Sequence, residues 1–121
     1  MNKSFESFYE AYTAQMHIKA DGTKLWKLPN GQLHRIGGPA IEYADGEKKY
    51  YEHGELHRED GPAIEDPRLS SKGAYYLNDE YYNDHKKWAA AVLKMHNKPS
   101  DTVAVQEFLR TVLAKHTKDL I

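Results

Sequence analysis

The chain has 121 residues, no cysteine and a formal net charge of −1. That length fits a single domain with its own core, and the absence of cysteine excludes disulfides and thiolate metal sites. A near-zero charge supplies no global field for nucleic acid, and no stretch is long and apolar enough to cross a bilayer.

Phe5, Phe8, Tyr9, Tyr12 and Met16 recur at helical spacing, which predicts an amphipathic helix from about Ser4 to Met16. Met1–Glu6 lacks the apolar run of a signal peptide, so a cytosolic location is expected. Residues 1–20 are read as this helix and a lead-in, residues 21–83 as hairpins, and residues 84–121 as further helices.

The middle region is organised by a repeat. Leu33-His34-Arg35-Ile36-Gly37-Gly38-Pro39-Ala40-Ile41-Glu42 returns as Leu56-His57-Arg58-Glu59-Asp60-Gly61-Pro62-Ala63-Ile64-Glu65, identical at eight of ten positions and offset by 23. Such self-similarity marks repeated supersecondary units. Asp21-Gly22 and Asp45-Gly46 open the two units. Trp26-Lys27 matches Tyr50-Tyr51, and Asn30-Gly31 matches His53-Gly54, once a residue near Pro29 is treated as inserted. A degraded third copy, Tyr75 to Tyr81, keeps the aromatic strand and the turn but lacks the Leu-His-Arg and Gly-Pro-Ala parts.

Asp-Gly and Asn-Gly pairs are hairpin-turn signals, because glycine accepts the positive φ such turns need. The turns at Asp45-Gly46, His53-Gly54 and Asp60-Gly61 predict strands within Lys48–Glu52, Glu55–Arg58 and Pro62–Glu65. Pro62, having no N–H, is expected where no ladder bond is required. Asp66–Gly73 reads as a loop. Asp84 is placed to cap a helix bearing Trp88, Ala91, Val92 and Met95, which ends near Asn97 to Pro99. Ser100 or Asp101 caps a last helix with Val105, Phe108, Leu109, Val112 and Leu113 on one stripe. The expected fold is α+β: an antiparallel β-hairpin repeat meander flanked by one N-terminal and two C-terminal helices, all in one domain.

The unit Tyr50-Tyr51-Glu52-His53-Gly54-Glu55-Leu56-His57-Arg58-Glu59-Asp60-Gly61-Pro62-Ala63 resembles the MORN-like repeats of bacteriophage and giant-virus proteins. The resemblance covers roughly residues 21–82. The first unit departs from it with Ile36-Gly37 where Glu-Asp is typical, and the helices lie outside it. It implies a hairpin sheet serving as a binding surface. It also implies a viral origin, with the host cytoplasm as the place of action, and supplies no catalytic residues.

Read as chemistry, the residues point the same way. His34-Arg35 and His57-Arg58 recur at one place in each unit, as residues that fix a hairpin do, whereas a catalytic group is needed once. His53, His57, Asp60 and Glu65 lie close enough in sequence to raise a metal site and a metal-dependent hydrolase. However, the first unit has Asn30 and Gly37 where His53 and Asp60 stand, and no His-Glu-x-x-His helix occurs. Ser70-Ser71 has no Gly-x-Ser-x-Gly frame. No enzyme, cofactor or metal is expected.

The nine tyrosines are the outstanding feature of the composition. Adjacent tyrosines in a strand point to opposite faces. Tyr50-Tyr51, Tyr75-Tyr76 and Tyr81-Tyr82 therefore put rings on both sides of a thin sheet, more aromatic area than a monomer ordinarily exposes. Tyr51, Tyr76, Tyr81, Arg58, Glu55 and Glu59 are the expected contact residues for a protein partner. With the viral resemblance, that partner is a host defence protein that the chain inhibits. A homodimer would equally account for such a surface.

Nucleic acid is the weaker alternative. Bases would stack on Trp26, Tyr50, Tyr51, Tyr75 and Tyr76, with Lys86, Lys87 and Lys94 supplying charge. The tail from Asp84 carries seven basic against four acidic residues, so the acidic excess falls on the sheet itself, which phosphate would avoid. No membrane partner is expected.

Overall fold

The computed structural model describes residues 13–68 and 73–119, with the side chains of 116–119 excepted. The expected N-terminal helix falls largely on residues 1–12, outside this range. Its proposed end does not hold, because Gln15–Ile18 form a strand, β1, and Met16 is a strand residue. The lead-in therefore belongs to the sheet.

The described chain is α+β, with antiparallel hairpin strands and two helices. β1 pairs with β2 (Lys24–Lys27), β2 with β3 (Ile41–Glu42), β3 with β4 (Lys48–Lys49), and β4 with β7 (Ile64–Glu65), giving a five-stranded sheet in the order β1-β2-β3-β4-β7. Two hairpins stand apart: β5 (Tyr51–Glu52) with β6 (Glu55–Leu56), and β8 (Tyr75–Leu77) with β9 (Glu80–Tyr82).

The turn chemistry explains these elements. His53 and Gly54 have φ of 51° and 81°, and Asn78 and Asp79 have 49° and 67°. Two successive positive φ values form the tight turn that matches the twist of its strands. The first unit instead turns over Pro29-Asn30 and closes at Gly31, with Gly31 N–H donating to Leu28 C=O at 2.8 Å. That longer turn holds the inserted residue. Asp21, Asp45 and Asp66 each accept from a backbone N–H two residues on, at 2.9, 2.9 and 3.0 Å, which shapes the opposite turns.

The repeat returns in the backbone bonds, with His34/His57 and Ala40/Ala63 offset by 23 and Trp26/Tyr50 by 24 because of the inserted residue. Trp26 donates to Ala40 C=O and accepts from His34 N–H; Tyr50 donates to Ala63 C=O and accepts from His57 N–H. At each of these residues the chain changes partner strand. This is why the expected strand Lys48–Glu52 is divided into β4 and β5 at Tyr50. Ala40 and Ala63 are fully buried, so the Gly-Pro-Ala step has room only for a methyl group. Pro62 precedes β7 and, as expected, gives no ladder bond; its carbonyl accepts from Arg58.

The helices close the third hairpin. α1 (His85–Met95) is capped by Asp84, which accepts from Lys86 N–H at 2.8 Å. It ends where Asn97 takes a left-handed φ of 57°. α2 (Thr102–Asp119) is capped by Asp101, which accepts from Ala104 N–H at 2.9 Å.

Trp88, Ala89, Val92 and Leu93 of α1 form one core with Leu77, Val105 and Val112. The expected stripe of α1 is thus rotated: Met95 is 45 % exposed, and Ala89 and Leu93 are buried in its stead. Leu113 of α2 is also exposed. Both corrections have one cause: α1 lies on the narrow third hairpin and α2 packs mainly on α1, so each buries only the face that meets its neighbour.

Candidate partner-binding face

Two aromatic rows stand on the two faces of the hairpins. On one, Trp26 lies under the Arg35 guanidinium and Tyr50 under that of Arg58, each at 3.9 Å from the ring centroid. Tyr75, next in the row, meets Trp88 at 4.7 Å instead. An indole from α1 thus takes the stacking place that an arginine fills in the first two units. Trp88 is fully buried, also packs on Phe108, and donates its Nε1–H to Arg58 C=O at 3.1 Å. These rings already carry stacking partners. Of the residues expected to stack bases, Trp26, Tyr50 and Tyr75 thus each already carry such a contact within the fold.

The repeated histidines are clamps between units. His34 Nδ1 accepts from His53 N–H at 2.9 Å, and His57 Nδ1 accepts from Asn78 N–H at 3.1 Å. Each ring therefore satisfies the first turn residue of the following hairpin. Both are buried. Burial, with His53 beside it, holds the His34 imidazole below its ordinary pKa.

The second unit adds a docking site for the helices. His57 Nε2–H donates to Glu59 at 2.7 Å, and His96 at the end of α1 bonds the other Glu59 oxygen at 2.5 Å. Asp60 bonds Arg58 and Lys115 of α2. Burial acts to raise both carboxyls, but hydrogen bonds from His57 and His96 hold Glu59 below its usual range, and those from Lys115 and Arg58 do so for Asp60. In the first unit Ile36 and Gly37 occupy these positions, and Ile36 is 72 % exposed. Glu-Asp thus stands where helices are received, and is absent where none are.

The residues expected to contact a partner are placed unequally. Arg58 is only 9 % exposed and is engaged by Asp60, Glu65, Pro62 C=O and the Tyr50 ring. Glu59 has both oxygens engaged. Glu55 is exposed but pairs with Glu52, which alternation puts on the opposite side from Tyr51 and Leu56. Of the residues raised as metal ligands, His57 and Asp60 spend both their side-chain polar atoms on these bonds and Glu65 one of its oxygens. Among the described residues, no three His, Asp or Glu side chains are grouped to hold a metal ion.

Tyr51, Tyr76 and Tyr81 remain, and they belong together. Tyr51 faces Leu56 across β5–β6, and Tyr76 faces Tyr81 across β8–β9 with ring centroids 5.4 Å apart. The hairpins adjoin through Asp79 N–H to Leu56 C=O and Arg58 N–H to Tyr76 C=O. Burial raises the Tyr51 phenol, Lys49 opposes this, and Tyr43, Asp79 and Tyr76 add to it.

The face is thus an aromatic strip edged by a cation and an acid, pointing away from the side that α1 and α2 cover. Tyr81 is 57 % exposed. It also borders an open cleft of about 420 Å³ lined by Ile64, Asp66, Tyr75, Tyr82 and His85. Tyr43 and Lys49, in cation–π contact at 5.5 Å, were not singled out from sequence; their place two residues before turns and tyrosines in alternating strands was the available signal. The chain matches no protein-family model, no curated protein and no solved structure.

Proposed function

We propose that the chain is a non-enzymatic protein-binding module of the MORN-like hairpin-repeat type, and that Tyr51, Tyr76 and Tyr81 form the centre of its partner surface. The carrying observation is the pairing of Tyr51 with Leu56 and Tyr76 with Tyr81 in adjoining hairpins, on the face opposite the helices, with Tyr81 57 % exposed. Rings of this kind supply large contact area at low entropic cost and dominate protein interfaces. The Leu-His-Arg and Gly-Pro-Ala-Ile-Glu repeat resembles those of bacteriophage proteins. On that resemblance the partner is a host protein in the cytoplasm, and binding inhibits an antiviral activity.

The test is affinity capture from lysate of a bacterial host, read by mass spectrometry, with Tyr81→Glu beside the unsubstituted chain. Tyr81 is the ring whose charge substitution least disturbs packing. A stoichiometric host protein captured by the unsubstituted chain and lost with Tyr81→Glu, at unchanged circular dichroism, is the expected result. Capture indifferent to Tyr81→Glu and Tyr76→Glu overturns the assignment of the face. Capture that nuclease abolishes overturns the protein-binding reading itself in favour of nucleic acid.

A further inference from the structure

The outer edge of the five-stranded sheet is β1, and its register fixes which backbone groups it leaves open. Lys19 N–H donates to Thr23 C=O at 2.9 Å, so the pairs that exchange hydrogen bonds with β2 are the odd-numbered ones, Gln15↔Lys27 and His17↔Leu25. An independent bond agrees: Trp26, opposite Met16, sends its N–H away from β1 to Ala40 C=O. The N–H and C=O groups of Met16 and Ile18 therefore point outward, and among the described residues no strand pairs with that edge. All four residues of β1 are exposed, Met16 by 45 % and Ile18 by 62 %. Edges of this kind are ordinarily protected by short length, lysine, proline, a bulge or a cover; β1 is short, at four residues, but Gln15–Ile18 has no lysine or proline and runs in unbroken register with β2.

We propose that two copies of the chain associate through β1, antiparallel about a two-fold axis at His17. That register is the one the open groups select. Met16 then exchanges both backbone bonds with Ile18 of the second copy, and Ile18 with Met16, so four outward groups on each chain are satisfied. The side chains agree as well. Met16 lies against Ile18, an apolar pair at each end of the contact. Gln15 lies against Lys19, and His17 against His17, so no two fixed charges of like sign oppose one another. A two-fold contact has to be self-complementary, and this segment is so in both backbone and side chains. The five-stranded sheets join into one continuous sheet across the axis. This surface is separate from the tyrosine face, and the inference does not depend on the proposed function.

Because the chain has no cysteine, the register is directly testable by cross-linking. Opposed residues of a non-hydrogen-bonded antiparallel pair have Cα atoms about 4.5 Å apart, within disulfide reach. His17→Cys is expected to form a disulfide-linked dimer readily on mild oxidation. Lys19→Cys, whose counterpart lies four residues off register, is expected to remain largely monomeric. Sedimentation of the unsubstituted chain over a concentration series should show a reversible monomer–dimer equilibrium. Ile18→Pro, which removes one outward N–H and no inner ladder bond, should shift it towards monomer by tenfold or more. If Ile18→Pro fails to fold, Ile18→Lys, at a side chain already in solvent, takes its place. A monomer at every concentration, or equal cross-linking of the two cysteine variants, overturns the proposal.

Discussion

The two histidine clamps form an internal control, because His34 and His57 hold equivalent turns but only His57 also meets a carboxylate. Replacing either with leucine keeps apolar bulk and removes the Nδ1 acceptor, orphaning the N–H of His53 or of Asn78. Both donors belong to exposed turn residues and the bonds are part-buried, so water can take the acceptor's place; each substitution is expected to cost about 1 kcal/mol on this account, the net worth of an ordinary hydrogen bond. His57→Leu also removes the donor to Glu59, a charge-assisted bond of 2.7 Å. Such bonds contribute roughly 1.5–3 kcal/mol net. Glu59 is 34 % exposed and keeps His96, which reduces the share to about 1 kcal/mol. His34→Leu should therefore lose about 1 kcal/mol and His57→Leu about 2 kcal/mol.

Urea unfolding followed by tryptophan fluorescence and far-ultraviolet circular dichroism measures both. Adding Glu59→Gln to each background should cost less in His57→Leu than in the unsubstituted chain, and be additive with His34→Leu. Equal losses in the two histidine variants, or a larger loss at His34, would refute the division of labour between clamp and helix dock.

Other outcomes follow from the same contacts. The folded-state pKa of His34 is depressed, so its contribution is fully present above its unfolded value of about 6.5 and is lost as pH falls below it. Stability measured from pH 7 downward should decline less steeply in His34→Leu than in the unsubstituted chain. Glu59 and Asp60 are likewise depressed. Their contribution is present above the ordinary carboxylate values and lost as pH falls through the folded ones, so the exchange protection factors of α1 and α2 amides, taken relative to the intrinsic rate at each pH, should fall at acid pH before those of β2–β3. Trp88→Ala removes a fully buried ring and the bond to Arg58 C=O. It should cost roughly 3–5 kcal/mol, read as a lower urea midpoint or failure to fold. Ala63→Val adds volume at a site with no exposure and should cost roughly 1–3 kcal/mol by the same assay.

Much of the local structure was legible in the sequence because it depends on near neighbours. Asp21-Gly22, Asp45-Gly46 and His53-Gly54, a capping aspartate before each helix and a proline ahead of β7 act over a few residues, and the structure has each where the pattern puts it. Asp60-Gly61 is the exception: it is a bend between two strands that do not pair, with no positive φ at Gly61, because Asp60 is held by Arg58 and Lys115. The identity of Leu33–Glu42 with Leu56–Glu65 announced equivalent environments, and the paired bonds of His34 with His57, and of Arg35 with Arg58, fit that expectation.

Which side chains the fold leaves open was not legible in the same way. Exposure is a property of what packs on top, and α1 and α2 lie far along the chain from the unit they meet. Only the tertiary structure decided that Arg58 and Glu59, charged and read as surface groups, are spent inside the fold on Glu65, Asp60, His57 and His96. It likewise decided that Trp88 takes an arginine's place over Tyr75. Strand alternation in the sequence separated Tyr50 from Tyr51 and Tyr75 from Tyr76, but which face the helices cover is a long-range choice. That choice leaves Tyr51, Tyr76 and Tyr81 on the open side.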